Sequence, residues 1–266
     1  MKIKFSQITL LLGLSFFANY AEAQSGVNIY QATLMESNQK TPEISTEEMQ
    51  KILIEKSTTV FDPRSVKEYA IDHIPGAINI APQPERSKTP DFSAVAKIGR
   101  VVQHNKATPI VLYCNGPVCG KSKQVANQLI AAGYTNVRRY QLGIPIWRTL
   151  VGFTQIELEG VRHVVDKDQS AVLIDTRDPE EFRADTIPGA VNLPLRGVKP
   201  GKNAGEIKKA KNDGRLPVKD HNTRIIVFGR DGAQARAMVE ALAKAASFHN
   251  VSYFAGTFET LRAAIK

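Results

Sequence analysis

The chain has 266 residues, a formal net charge of +9 and only two cysteines. A chain of this length buries a hydrophobic core without disulfide staples, so two cysteines are too few for a disulfide framework. The positive charge favours anionic small molecules or an acidic partner surface, and a sequence without a basic stripe interleaved with aromatic residues argues against nucleic acid.

Residues 1–23 have the pattern of a secretory signal peptide. Lys2 and Lys4 form a positive n-region, residues 8–18 are an apolar run, and Ala21-Glu22-Ala23 is an A-x-A cleavage site. The apolar run is about half the roughly 20 residues that a spanning helix needs, and no later run approaches that length. We therefore expect export to the periplasm or secretion after cleavage near Ala23, with no membrane span. Loss of two lysines and one glutamate lowers the formal charge from +9 to +8.

The rest of the sequence is an internal repeat, in which one pattern occurs twice. VFDPRSVKEYAIDHIPGAINI at 60–80 aligns without gaps to LIDTRDPEEFRADTIPGAVNL at 173–193, and PIVLYC at 109–114 corresponds to RIIVFG at 224–229. Self-similarity of this kind indicates a duplicated structural unit. We predict an N-terminal extension at 24–43, a first domain at 44–152 and a second domain at 153–266.

Each copy is predicted to open with a capped helix, since Ser45 to Glu48 and Thr154 to Glu157 both have capping-box spacing. β-branched or apolar runs then predict strands, which in the two copies are 59–61 and 172–174, 77–80 and 190–193, and 110–113 and 225–228. The last of these runs leads into a helix in each copy. The apolar residues of these two helices recur at helical spacing: Val125, Leu129 and Ala132; Ala235, Met238 and Leu242.

Continuous apolar strands that alternate with helices predict an α/β fold. We expect two tandem domains, each a mainly parallel sheet covered by helices on both faces. The lysine-rich connection at 196–222 is interrupted by glycine and proline, which favours a solvated surface loop over a docking surface for an acidic partner.

Several motifs together resemble the rhodanese (sulfurtransferase) family. They are the D-x-R…HIPGA-x-N segment, the apolar strand ending in YC, the loop and helix after it, and G-I-x-x-W at Gly143 to Trp147. The resemblance covers nearly the whole mature chain as two tandem rhodanese-like domains. It implies that a cysteine at the end of the fourth strand carries sulfur as a persulfide, a role that falls on Cys114. No nucleotide, flavin or metal motif appears in the sequence, so we expect no cofactor.

The residues around Cys114 favour the same placement on physical grounds. A cysteine that leaves an apolar strand just before a helix faces N–H groups that bind anions, and this environment lowers a thiol pKa. The predicted anion-binding loop comprises Asn115, Gly116, Pro117, Val118, Cys119, Gly120 and Lys121. Lys121 adds positive charge, whereas Lys123 is interpreted as a helix residue that faces water.

The second copy has Gly229 where the first has Cys114, so we predict that it is inactive in sulfur transfer. His73 has Thr186 as its counterpart, which favours a structural role for the imidazole. Asp62 and Arg64 recur in both copies, and a role in the fold, such as an ion pair or a cap, explains this better than catalysis.

The expected activity is that of a thiosulfate sulfurtransferase-like enzyme. It would move sulfane sulfur from thiosulfate, polysulfide or a mercapto acid to a thiol or cyanide-like acceptor. The loop contains no arginine, which disfavours a dianionic donor and also a phosphatase.

The alternative is a non-catalytic or redox-sensing binding protein with a Cys114–Cys119 disulfide. Cys119 is either a resolving thiol or a small residue of the first helical turn. A metal site is disfavoured because two thiolates leave tetrahedral zinc half liganded. The sequence leaves the oligomeric state undetermined.

Overall fold

The computed structural model describes residues 28–81, 93–199, 205–245 and 248–265. The predicted signal peptide lies outside these residues. No helix within the described ranges is long and apolar enough to cross a membrane.

Within its described residues, the first copy is built on four parallel strands in the order β2-β1-β3-β4. The strands are β1 (Thr59–Asp62), β2 (Ile78–Asn79), β3 (Ile110–Tyr113) and β4 (Val137–Tyr140). Its helices are α1 (Thr46–Glu55), α2 (Val66–Ile71), α3 (Ala94–Val101), α4 (Lys121–Ala131) and α5 (Gly143–Val151). A single parallel bridge between Glu43 and Arg139 extends the edge at β4, which makes β3 the fourth extended segment of the chain.

Strand β3 is buried along its whole length because helices cover both faces of the sheet. Alternate side chains of a strand point to opposite faces. Ile110 and Leu112 pack in the cluster that includes Leu129 of α4, while Val111 and Tyr113 pack in the cluster that includes Trp147 of α5. The predicted parallel sheet with two covered faces is confirmed for this copy.

The second copy has five parallel strands in the order β5-β9-β8-β6-β7. They are β5 (Thr154–Ile156), β6 (Val172–Asp175), β7 (Val191–Asn192), β8 (Ile225–Phe228) and β9 (Val251–Phe254). The helices are α6 (Leu158–Lys167), α7 (Pro179–Ala184), α8 (Gly205–Asn212), α9 (Gly232–Ala245) and α10 (Phe258–Ala264), with a 3₁₀ turn at Leu195–Gly197. Two core clusters again lie on the two sides of the sheet, so the predicted α/β fold holds for both copies.

The prediction of a helix start at Thr154 was wrong. Residues 154–156 form the edge strand β5, and the hydroxyl oxygen of Thr154 lies 2.7 Å from that of Ser252 on β9. Burial alternates along this strand, with Thr154 and Ile156 buried and Gln155 half-buried, as expected for an edge strand. The corresponding prediction for the first copy is confirmed, because the Ser45 hydroxyl accepts a hydrogen bond from the Glu48 N–H at 3.2 Å.

The lysine-rich connection is only partly a solvated loop. It contains α8, where Ile207 and Ala210 stand three residues apart and are buried in the core together with Leu216. Apolar residues at this spacing form one helix face, which the surrounding lysines concealed in the sequence. The helical prediction also failed at Ala132, which is exposed and caps α4 one residue beyond its end at Ala131.

The two copies pack directly against each other. Helix α2 of the first copy lies against α6 of the second so closely that a Cβ at Gly160 would stand 1.9 Å from the Ala70 carbonyl oxygen. His73 and Gln155 exchange two backbone hydrogen bonds of 2.9 Å. Only Gly152 and the buried Phe153 separate α5 from β5, so the connection between the copies is short and held in place.

Candidate functional site

Cys114 immediately follows β3, at the carboxyl edge of the first sheet, and is 1 % exposed. The chain then makes a loop over residues 114–120, called here the cysteine loop, before α4 begins at Lys121. Cys114 and Cys119 are joined by a disulfide across this loop, with their Cα atoms 6.2 Å apart. Both cysteines therefore belong to one compact turn between a buried strand and a helix N-terminus.

Gln141, a buried residue that follows β4, anchors the cysteine loop. Its side-chain amide donates hydrogen bonds to the carbonyl oxygens of Pro117 (3.1 Å) and Cys119 (3.3 Å). The C=O and N–H of a trans peptide point in opposite directions. The N–H groups of Val118 and Gly120 therefore point away from Gln141, as an anion-binding loop requires.

Gly143 allows the start of α5 to approach the cysteine loop. The N–H of Ile144 donates to the Cys114 carbonyl oxygen at 3.0 Å. Gly143 has φ +69°, and a Cβ there would lie 2.4 Å from both the Cys114 carbonyl oxygen and the Gly116 nitrogen. A side chain at this position would displace the backbone of the cysteine loop.

Glu68 of α2 lies against the side chains at the two ends of the loop. It accepts a hydrogen bond from the Asn115 side chain, and its carboxylate lies 3.6 Å from the Lys121 ammonium group. Burial opposes its ionisation, but hydrogen bonds from Ser65 and Asn115 and the charge of Lys121 outweigh burial and lower the pKa of Glu68 to about 2. The positive charge expected from Lys121 is therefore paired with a carboxylate.

The predicted ion pair of Asp62 and Arg64 is confirmed. Their side chains meet at 2.7 Å in the interior, and the second copy repeats the pair with Asp175 and Arg177, also at 2.7 Å. In the first copy Arg64 also reaches Asp72 at 3.1 Å and donates to the side-chain Oδ1 of Asn115 at 3.4 Å. The scaffold pair thus has an additional contact with the cysteine loop in the copy that carries the cysteines.

A cavity of about 250 Å³ lies beside the cysteine loop. Its walls come from α2, α5 and the loop, and include Glu68, Ile71, Asn115, Ile144, Pro145 and Arg148. Arg148 pairs with Asp72 at 2.9 Å. Arg64 and Arg148, which line this cavity, and Lys121, which pairs with the lining residue Glu68, each have a carboxylate partner.

Lys123 and His73 lie outside the cysteine loop. Lys123 pairs with Glu36 of the N-terminal extension, so the expectation that it faces water was wrong. His73 is fully buried, stacks on Tyr69 and shares a 2.9 Å hydrogen bond between Nδ1 and the Tyr69 carbonyl oxygen. These contacts agree with the structural role inferred for His73.

The second copy has neither the thiol nor the space for one. Only Arg230 and Asp231 separate Gly229 from α9, against six residues between Cys114 and α4. A Cβ at Gly229 would lie 2.7 Å from both the Gln234 side-chain oxygen and the Thr176 hydroxyl. Arg230 is itself held by Asp178 at 2.8 Å and by Glu181.

Sequence reasoning gave no role in the site to three of its residues, Glu68, Gln141 and Gly143, although Gly143 begins the G-I-x-x-W motif. The alignment of the two copies could have identified two of them. The strand that precedes Gln141 aligns with β9, so Ala255 and Thr257 are the counterparts of Gln141 and Gly143. Both differ in the copy that lacks the cysteine. Glu68 has a glutamate counterpart, Glu181, so the repeat gives no contrast there. Among the described residues no cluster of three or more histidine, cysteine or acidic side chains is arranged to hold a metal.

These features define a class: an α/β protein with a cysteine loop between a central parallel strand and a helix. A family model described as Rhodanese-like domain matches residues 45–150 and again residues 161–264. The chain belongs to the rhodanese-like domain family and contains two tandem copies of the domain.

The chain is also similar to proteins from two strains of Mycobacterium tuberculosis, both named "Putative thiosulfate sulfurtransferase SseB". Each is 25% identical over 225 residues, which cover 68% of this chain and 78% of the relative. Among solved structures, wild-type EanB is 17% identical with a TM-score of 0.33, over 90% of this chain and 62% of that one. A thiosulfate sulfurtransferase from Pseudomonas aeruginosa is 19% identical with a TM-score of 0.31, over 83% of this chain and 44% of that one. The chain spans less than two thirds of either solved structure.

Proposed function

We propose that this protein is a sulfurtransferase that carries sulfane sulfur as a persulfide on Cys114. The observation that carries the proposal is the cysteine loop, which sets Cys114 at the end of β3 and turns two N–H groups away from the Gln141 anchor. Membership of the rhodanese-like family and similarity to relatives named as sulfurtransferases support it.

The chemistry takes two displacements at sulfur. The Cys114 thiolate attacks the outer sulfur of the donor, a new S–S bond forms, and the donor's own bond to that sulfur breaks with its electron pair leaving on the donor. A thiol or cyanide-like acceptor then takes the outer sulfur and regenerates the thiolate. N–H groups of the cysteine loop stabilise the anion in both steps, and a covalent carrier of this kind predicts ping-pong kinetics.

The charges near the loop bear on the choice of donor. Residues 115–120 carry no charged side chain, and the nearby Arg64, Lys121 and Arg148 are each paired with a carboxylate. A dianion would therefore meet backbone dipoles rather than an unpaired guanidinium. Among polysulfide and mercapto acids, we expect donors with less negative charge than the thiosulfate dianion to be preferred over thiosulfate.

The disulfide favours a second candidate, a redox-sensing or binding protein that keeps the scaffold. It also fits the first proposal, with Cys119 as a resolving thiol. The Cys119 thiol would attack the inner sulfur of the Cys114 persulfide, form the disulfide and release hydrosulfide, with no other oxidant. The two candidates differ in whether Cys114 ever holds an extra sulfur.

The test is the intact mass of the reduced protein after polysulfide or thiosulfate, and again after cyanide. Addition of one sulfur to Cys119→Ser, located on the Cys114 peptide and removed by cyanide, is the expected result. Cys114→Ser is the matched control and should gain none. Loss of two hydrogens from the wild type with no sulfur gained by Cys119→Ser would leave the redox candidate instead.

We also propose that the protein acts outside the cytoplasm, on the sequence pattern of residues 1–23. Cell fractionation with an N-terminal mass of the recovered protein tests this. A protein recovered from the cytoplasm with residues 1–23 intact would contradict it.

A further inference from the structure

The two sulfurs of the disulfide belong to residues with unequal access to solvent. Cys114 is 1 % exposed, whereas Cys119 is part exposed. Cys119 also sits next to the outermost part of the cysteine loop, where Pro117 is exposed and Val118 is completely exposed. A thiol that arrives from outside therefore meets Cys119 first.

We propose that a protein dithiol reduces the oxidised form by docking on the loop tip, Pro117 and Val118, and attacking Cys119. The proposal rests on the proposed function, since the disulfide that follows hydrosulfide release must be reduced before Cys114 accepts another sulfur. It adds the class of partner, its docking surface and the sulfur that it attacks.

The exchange balances in two steps. A thiolate of the partner attacks the Cys119 sulfur, a mixed disulfide forms, and the electron pair of the broken S–S bond leaves on Cys114 as a thiolate. The partner's second thiol then attacks the sulfur of the partner's first cysteine in the mixed disulfide and releases Cys119 as a thiolate. The partner ends as a disulfide, and this protein gains two electrons with both cysteines reduced.

The loop favours this direction of attack. Exchange is faster when the leaving thiol has the lower pKa. Attack at Cys119 makes Cys114 the leaving thiolate, at the end of β3 and within the loop whose N–H groups are proposed to stabilise an anion. Attack at Cys114 would need the partner to reach a residue that is only 1 % exposed and whose carbonyl oxygen accepts from the Ile144 N–H of α5.

The surface at the loop tip fits a protein better than a small charged reductant. Val118 places its whole side chain in solvent, and the residues from Asn115 to Gly120 are uncharged. An apolar, uncharged tip beside a disulfide offers contact area to a partner that covers it and no charge to attract an ion.

The first experiment determines which cysteine is attacked. The oxidised wild type is mixed with a reduced thioredoxin-type protein whose second cysteine is changed to serine, so that the mixed disulfide persists. Iodoacetamide then blocks the released thiol, and peptide mass spectrometry locates both groups. We expect the partner on Cys119 and the alkyl group on Cys114, whereas the reverse pattern, or no adduct, would overturn the proposal.

The second experiment tests the docking surface. The rates of reduction by the intact dithiol protein and by dithiothreitol are measured for Val118→Ser, with Val218→Ser as the control because Val218 is an exposed valine of the second copy, 41 % exposed. The ratio of the protein rate to the dithiothreitol rate should fall about three- to tenfold in Val118→Ser alone. An unchanged ratio would contradict docking at the loop tip.

Sulfur loading of Cys119→Ser, which cannot form the disulfide, gives an independent measure of the proposed function. If that variant loads sulfur but the wild-type adduct forms on Cys114, only the reduction proposal fails. If the variant does not load sulfur, the sulfurtransferase proposal fails whichever cysteine the dithiol attacks.

Discussion

Two residues without nucleophilic side chains set the position of Cys114. Gly143 permits α5 to approach the Cys114 carbonyl oxygen and the Gly116 nitrogen, and the Gln141 side chain donates hydrogen bonds to two carbonyl groups of the loop. Neither residue presents a nucleophile or a charge. They contribute by fixing the position of the loop, which determines the direction in which its N–H groups point.

Gly143→Ala should abolish sulfur loading of Cys114. The new Cβ would lie 2.4 Å from two backbone atoms of the loop, in addition to the strain of a positive φ. Gly133→Ala is the matched control, because Gly133 has φ +86° with nothing within 4 Å of a new Cβ. The control should lose about 1 kcal/mol of stability and keep its sulfur loading, as measured by urea unfolding and intact mass.

Equal sulfur loading in the two variants would show that close packing at Gly143 does not position the loop.

At the scale of residues, prediction from sequence succeeded for the Asp62–Arg64 pair, because its recurrence in a copy without cysteine indicated a structural rather than a catalytic role. It failed for Glu68, Gln141 and Gly143, because the contacts that matter join residues distant in sequence.

At the scale of elements, the central strands are the part that sequence predicts best. The apolar runs at 110–113 and 225–228 coincide with β3 and β8 because both faces of a central parallel strand are buried. At the edge, residues 154–157 satisfy both a capping-box spacing and the alternation of a strand, and only pairing with β9 decides between them. Helix α8 was missed because two buried residues suffice to hold it among lysines.

The loop between strand and helix, rather than the identity of one residue, should keep the second copy inactive. Cys114→Ser/Gly229→Cys is expected to gain no sulfur from polysulfide, because the new side chain would meet Gln234 and Thr176 at 2.7 Å and the loop has only two residues. Intact mass measures the outcome, with Cys119→Ser as the positive control.

Circular dichroism and a thermal melt establish that the double variant is folded. If the folded double variant gained one cyanide-labile sulfur, Gly229 alone would account for the inactivity and the shape of the loop would be irrelevant.

At the scale of the whole molecule, the contact between the copies includes a buried titratable group. His73 lies between Tyr69 and the second copy, with its Nε2 atom 3.4 Å from the Glu157 carboxylate and no hydrogen-bond partner for that atom in the described structure. Asp62, Arg64 and Asp72 are the other charged groups that act on it. Burial lowers the pKa of His73 from 6.5 to about 4, although the hydrogen bond to Tyr69 opposes this.

Stability should therefore fall as the pH drops from about 6.5 to about 4. The unfolded chain protonates His73 first, so the contribution of the neutral imidazole is complete above pH 6.5 and is lost through this window. Between pH 7 and pH 5 the loss should be roughly 1–2 kcal/mol. The lowered pKa of Glu68 changes the stability only as the pH falls below the ordinary value of 4.5, which is outside the interval from pH 7 to pH 5.

Urea unfolding of the wild type and of His73→Asn at pH 7 and pH 5 measures the effect. The asparagine amide can still donate to the Tyr69 carbonyl but does not titrate. The variant should lose less stability than the wild type on acidification. An equal loss in both proteins would assign the pH dependence to other groups.

The packing of α2 against α6 bears on why a copy without a nucleophile persists in the chain. Helix α2 has only six residues, fewer than an isolated helix needs to be stable, and it carries Glu68, which holds both ends of the cysteine loop. The second copy supplies the wall against which this short helix rests. Deletion of the second copy would leave the sequence of the cysteine loop intact but remove the surface against which α2 packs, so the first copy depends on the second for the position of Glu68.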